Sequence, residues 1–195
     1  MAPGCIEAGC DEAGRGCLAG PVAAAAVILP PGFDCTGLDD SKKLTAHQRD
    51  VQRRRIERDA LAWCVVMVPP AEIDSINILN ASIVGMHRAL DGLGVTPDHI
   101  IVDGNRFREY GRIPFTTVVK GDAKYASIAA ASSLAKTHRD QLMADLAKEC
   151  PGYGWEKSMG YPTAEHLRAL ERLGLTPHHR LTYAPCRRIL ERKTE

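Results

Sequence analysis

Apolar residues run in short bursts through the first third of the chain and later recur at helical spacing. Gly4 to Cys10 and Leu18 to Leu29 are small-residue apolar stretches that read as two strands of an opening hairpin, connected across Asp11-Glu12-Ala13-Gly14-Arg15-Gly16 and closed by Pro30-Pro31-Gly32. Thr45 with Gln48 three residues on fits a capping box, and Val51 and Ile56 follow among arginines, predicting a surface helix over about 46–60. Ala62 to Val68 reads as a strand stopped by Pro69-Pro70. From Leu79, the residues Ile83, Met86, Leu90 and Leu93 recur at spacings of four and three, so a helix ends near Gly94.

His99 to Val102 and Ile113 to Val119 are short apolar strands, each delivering an aspartate at its carboxyl end: Asp103-Gly104-Asn105 after the first, Lys120-Gly121-Asp122 after the second. An alanine-rich helix is predicted from about 125 to 149, with Ile128, Ala131, Ala135, Leu142 and Leu146 as its buried stripe and Pro151-Gly152 as its stop. Another runs from Thr163 or Ala164 to about Leu173. The basic segment from His178 to Glu195 is expected to be partly loose. Strands alternating with helices make an α/β fold.

Composition narrows this little but excludes much. The 195 residues are expected to form one domain, and 45% hydrophobic with 25% charged residues argues against disorder, a collagen-like chain or a coiled coil. The longest apolar run, Val22 to Leu29, is too short to cross a bilayer, and Met1 to Gly9 lacks signal-peptide character. The seven cysteines are scattered without a C-x-x-C pair, which disfavours disulfides and zinc and points to reduced packing residues in a cytoplasm. A net charge of +1 removes the simple basic-protein case for nucleic-acid binding.

Four carboxylates stand out by context: adjacent Asp11 and Glu12, Asp103 and Asp122, each at a strand end beside glycine or a turn. Gathered in one cleft they repel unless cations neutralise them, and Mg2+ or Mn2+ are the natural partners of such oxygen ligands. Two such ions can activate a water against a phosphodiester. Turn capping explains isolated acids equally well, and Gly14-Arg15-Gly16 alone reads as a hairpin turn. Asp40-Ser41-Lys42-Lys43 brings cations to a helix start, a geometry suited to phosphate or simply a solvated loop. Ser132, Ser133 and Lys136 on the alanine-rich helix could face a phosphate or merely mark a helix crossing.

Taken in order, these segments closely resemble ribonuclease HII, the type 2 ribonuclease H family. The resemblance runs from Gly9 to about Arg187 through Gly9 to Gly16, Leu18 to Val22, Asp40 to Leu44, Val102 to Asn105, Lys120 to Lys124, Ser127 to Lys136 and Gly160-Tyr161-Pro162-Thr163. It implies an RNase H-like mixed sheet of about five strands flanked by helices (core about 1–150), with a helical C-terminal part (about 151–195) in one catalytic domain. It implies hydrolysis of the RNA strand of RNA/DNA hybrids and incision on the 5′ side of ribonucleotides embedded in duplex DNA, leaving a 3′-OH and a 5′-phosphate. Asp11, Glu12, Asp103 and Asp122 fall on the family's metal-binding quartet, which takes two Mg2+ or Mn2+ ions in catalysis. Gly14, Arg15 and Gly16 fall on the motif that reads the ribonucleotide 2′-OH through backbone contacts, and Tyr161 on the tyrosine that packs against the following sugar. Lys42, Ser133, Lys136 and Arg15 are the expected phosphate contacts, with Arg180, Arg187 and Arg188 added to the basic rim.

The chain departs from the family pattern at Met159, where a basic residue is common, and in His179-Arg180-Leu181-Thr182-Tyr183, where H-R-x-S-F is frequent. A structural hydrogen bond is the favoured role of His166. The sister type, ribonuclease HIII, a non-catalytic hybrid-binding protein and a generic α/β domain are the competing readings. A monomer is expected, and the tail from Arg187 lacks the aromatic pair of a clamp-binding peptide.

Overall fold

The protein is described by a computed structural model over residues 5–38 and 45–192. Its order is β1 (Glu7–Ala13), β2 (Val22–Ile28), α1 (Ala46–Asp59), β3 (Ala62–Val68), α2 (Pro70–Ile76), α3 (Ile78–Asp91), β4 (His99–Asp103), β5 (Phe115–Val118), α4 (Ala126–Glu149), α5 (Trp155–Ser158), α6 (Ala164–Leu173) and α7 (Ala184–Arg192). One five-stranded sheet runs β3-β2-β1-β4-β5. The first three strands are antiparallel neighbours, whereas β4 lies parallel to both β1 and β5. This is the mixed, helix-flanked sheet that the resemblance implies.

Side-chain alternation along the strands sorts two cores. Ala8 and Cys10 of β1, Ala24 and Ala26 of β2 and Ile100 and Val102 of β4 pack with Ile83, Met86 and Leu90 of α3. On the opposite face Ala23, Ala25 and Val27 meet Ala130, Ala131 and Leu134 of α4, with Ile56 of α1. Every residue of β2 is buried, and its alanines let helices approach closely from both sides. Strand β1 and α4 cross closely at Gly9, where a Cβ would come within 2.2 Å of the Ser127 carbonyl carbon.

Several boundaries differ from the sequence expectation. Strand β1 extends through Asp11 and Glu12, which pair with Ala25 and Ala24, so this acidic pair lies within the strand. Strand β2 begins only at Val22, and 14–21 forms a connection longer than a tight turn. Strand β3 ends at Val68 before Pro69-Pro70 as expected, but Pro70 also starts a helix that the sequence reading did not include, α2, because a proline at the first helical position loses no hydrogen bond. The expected loose tail contains α7, whose Cys186 and Ile189 pack on Leu18 and Leu170. The Thr45 capping box forms as anticipated. No helix among the described residues is long and apolar enough to cross a membrane.

Candidate active site

The parallel pairing of β1 with β4, and of β4 with β5, delivers the acidic residues to one end of the sheet. Cys10 pairs with Val102, so Asp11 and Asp103 follow side by side on the face covered by α4. Asp11 is 6% exposed, accepts the Glu12 N–H at 2.7 Å and takes a hydrogen bond from Ser132. Burial, reinforced by the charges of Glu12 and Asp103, pushes its carboxyl well above the usual carboxylate range. Burial likewise raises Glu12, opposed by Arg15, whose guanidinium lies 3.1 Å away.

Asp103 accepts the Gly121 N–H at 2.7 Å, tying the end of β4 to the 3-10 turn that carries Asp122. Asp122 accepts the N–H of Ala123 at 3.0 Å. Among the described residues no three acidic, histidine or cysteine side chains already converge tightly enough to hold an ion. Yet the set fits a hard divalent cation: all the donors are carboxylate oxygens, and the charges of Glu12 and Asp103 raise the proton affinity of Asp11 while that of Asp103 raises the proton affinity of Glu12. A cation would relieve that repulsion.

The loop that leaves β1 borders these acids. Gly14 has φ 92° and packs so closely on Arg139 that a Cβ would fall 2.0 Å from its Nε. Arg15 and Gly16 are exposed, and a Cβ on Gly16 would lie 3.7 Å from Cε1 of Tyr161. Tyr161 is 42% exposed, and its hydroxyl lies near Cys17. Thus the loop, the acids and Tyr161 line one continuous surface.

A buried polar network fixes the Tyr161 segment. Trp155 donates its indole N–H to His166 Nε2 at 2.9 Å, and His166 Nδ1 donates to the Tyr161 carbonyl at 3.0 Å. His179 accepts the Thr176 N–H at Nδ1 (3.0 Å), leaving its Nε2–H for His166 Nε2 at 3.2 Å. Burial lowers both histidines, His179 to about 4, and keeps them neutral. His166 therefore has the structural hydrogen-bonding role favoured from sequence.

The expected phosphate contacts fare differently. Lys42 and Lys43 lie outside the described residues. Lys136 is partly exposed and paired with Asp140. Ser133 is 1% exposed with its hydroxyl unpartnered among the described residues, so the contact expected of it does not lie on the surface; its neighbour Ser132 is the serine that reaches Asp11. Arg180, expected on the basic rim, is fully buried, and this corrects that expectation: its guanidinium is consumed by backbone carbonyls of Gly14, Arg15 and Gly20. Met159 sits in a left-handed conformation (φ 49°) and offers its carbonyl to Arg139 at 2.9 Å. Sequence reasoning missed Arg139 as a site residue, although it stands four residues after Ala135 on the buried stripe, a spacing that flags a charge within the core.

Comparison with known proteins gives a consistent result. A family model described as Ribonuclease HII matches residues 8–186. The Ribonuclease HII of Phocaeicola vulgatus is 61% identical over 178 residues, covering 91% of this chain and 89% of that protein. Among solved structures, the ribonuclease H2 from Pyrococcus horikoshii OT3 superposes with a TM-score of 0.83 at 26% identity, covering 97% of this chain and 99% of that one. Bst-RNase HIII in complex with Mn2+ shares the fold, with a TM-score of 0.75 at 18% identity over 96% of this chain and 70% of the other.

Proposed function

Because the chain belongs to the ribonuclease HII family, and so is a ribonuclease H endonuclease, we propose that it cuts the RNA strand of RNA/DNA hybrids and incises on the 5′ side of single ribonucleotides in duplex DNA, leaving a 3′-OH and a 5′-phosphate. Ribonucleotide excision and primer removal are the roles such a specificity serves. The observation that carries this reading is the junction of two devices on one surface: Arg15 of the Gly14–Gly16 loop reaches Glu12 of the acidic cluster at 3.1 Å, while Gly16 faces Tyr161.

Asp11, Glu12, Asp103 and Asp122 would hold two divalent ions, Mg2+ or Mn2+, which when bound supply the Lewis acidity for attack of water on the phosphodiester. The chain's own residues do the rest. The exposed amides of Arg15 and Gly16 stand at the ribonucleotide 2′-OH, the group that separates RNA from DNA. The Tyr161 ring packs against the neighbouring sugar, and its backbone is held by His166 so that the ring keeps its place beside Gly16. Arg15 and Lys136, each partly exposed and each paired with a carboxylate, exchange that partner for a backbone phosphate, and Lys42 adds a third cation. The whole chain acts as one catalytic domain and as a monomer.

The test is incision of a DNA duplex with one ribonucleotide. The wild-type chain cuts on its 5′ side with Mg2+ or Mn2+ and not in EDTA, while Asp103→Asn loses at least about a thousand-fold in rate and still binds the duplex. Failure of the wild type to cut with any divalent ion would overturn the proposed function.

A further inference from the structure

Two arginines lie buried behind the Gly14–Gly16 loop without an acidic partner among the described residues. Arg139 (1% exposed) donates to the carbonyls of Pro21 (2.8 Å), Met159 (2.9 Å) and Ala19 (3.1 Å). Arg180 (0% exposed) donates from Nη2 to Gly14 O at 2.8 Å and Gly20 O at 2.9 Å, from Nη1 to Arg15 O at 2.8 Å and the Tyr183 hydroxyl at 3.1 Å, and from Nε to Gly20 O at 3.0 Å. Its five N–H groups are thus all used. Tyr183 adds its own hydroxyl to Arg15 O at 2.8 Å. Asp74 of α2 braces the same segment through the N–H groups of Leu181 and Thr182, at 2.7 and 3.0 Å.

Burying a guanidinium without a carboxylate is costly, and neutral donors could anchor a loop at lower cost. The cation acts on particular peptide units. The carbonyl of Gly14 shares its amide with the N–H of Arg15, and the carbonyl of Arg15 shares its amide with the N–H of Gly16. A trans peptide is planar, with C=O and N–H on opposite sides, so carbonyls drawn inward to Arg180 turn both N–H groups outward. Among the described residues neither N–H takes an acceptor, and both residues are exposed. A positive charge on the carbonyl oxygen also draws electron density from the amide and strengthens its N–H as a donor.

Resting on the reading of this loop as the contact for the ribonucleotide, we propose that Arg180, with Tyr183, is a positioning residue: it grips the carbonyl side of the two amides whose N–H sides read the 2′-OH, aiming and polarising both donors. Arg139 holds the far side of the same connection and donates to neither amide. The division assigns 2′-OH recognition to a buried side chain that never meets the nucleic acid.

The experiment pairs a spectrum with kinetics on the full chain. Amide proton shifts of Arg15 and Gly16 are measured by NMR without nucleic acid, in the wild type, Arg180→Lys and Tyr183→Phe, and each protein is then assayed on a duplex with one ribonucleotide. Lysine keeps the charge but cannot reach three carbonyls. In Arg180→Lys both amide protons move upfield, and kcat falls about 10- to 100-fold with KM within about three-fold. Tyr183→Phe moves Gly16 in the same direction with a smaller kinetic loss, and it carries the test should Arg180→Lys fail to fold. Amide shifts that stay at their wild-type positions overturn the proposal even if activity falls, since Arg180 would then be scaffold alone. Shifted amides with unchanged kcat overturn the assignment of this loop to the ribonucleotide, and with it the positioning role, while leaving the metal-dependent nuclease reading intact.

Discussion

At Asp11 the needs of folding and of chemistry oppose each other. A carboxylate 6% exposed beside Glu12 and Asp103 holds its proton far more tightly than in the unfolded chain. A carboxyl whose folded pKa is raised stabilises the fold at low pH and loses that contribution as pH rises through the folded value, so its charged form is a burden until a cation arrives. Replacing Asp11 by Asn keeps the acceptor for the Glu12 N–H and removes the charge. Asp11→Asn is therefore expected to be more stable than wild type by about 0.5 to 2 kcal/mol in EDTA, and to show a smaller rise in melting temperature on adding Mn2+ or Mg2+. Thermal unfolding with and without the ion measures both. A variant less stable than wild type in EDTA would mean that the site is not under electrostatic strain.

Among the elements, the short helices after α4 carry the best pH probe. The neutral pair His166 and His179 joins α5, α6 and the 176–180 segment, and the tautomers leave no ring nitrogen free to take a proton without losing an accepted bond. With the folded pKa of His179 pulled to about 4 from the usual 6.5, the native state binds fewer protons than the unfolded chain between those values. Stability is complete above the upper value and is lost as pH falls toward the lower, by about 2 kcal/mol between pH 7 and pH 5. Denaturant titrations across that range should show the loss, and in His179→Gln, though weaker overall, the dependence on pH should flatten. A wild-type stability level from pH 7 to 5 would contradict it. This element also marks the limit of what patterning discloses. The helical stripe of Leu79 to Leu93 and the Thr45 box announce themselves locally, since spacing and capping are short-range properties. So do Asp103 at the end of β4 and Asp122 in the turn after β5. That β1 carries Asp11 and Glu12 within its pairing, and that Arg139 and Arg180 turn inward, depends on partners far along the chain. Arg180 is fixed by carbonyls about 160 residues away, and an exposed rim was the natural reading of an arginine in a basic tail.

For the whole molecule, the net charge of +1 conceals a segregated distribution. With Asp11, Glu12, Asp103 and Asp122 set aside, the remaining chain carries +5. Two of its positive charges, Arg139 and Arg180, sit directly behind the loop that borders the acids, without acidic partners among the described residues. Low-dielectric surroundings screen these poorly, so they project a positive potential through the loop toward a bound strand even though they touch no phosphate. On the proposed reading, exposed Arg187 and Arg188 and the partly exposed Lys136 would add contacts that release counterions. Affinity for a ribonucleotide-containing duplex should then fall with salt despite the near-zero net charge: a slope of log K against log salt of about −2 or steeper, hence a loss of at least about ten-fold between 50 and 200 mM. Fluorescence anisotropy with Asp103→Asn, expected to bind without cutting, measured across ionic strengths gives the slope. Bulk charge alone predicts a shallow slope near zero, and that result would reject the segregated-field account while leaving the site chemistry untouched.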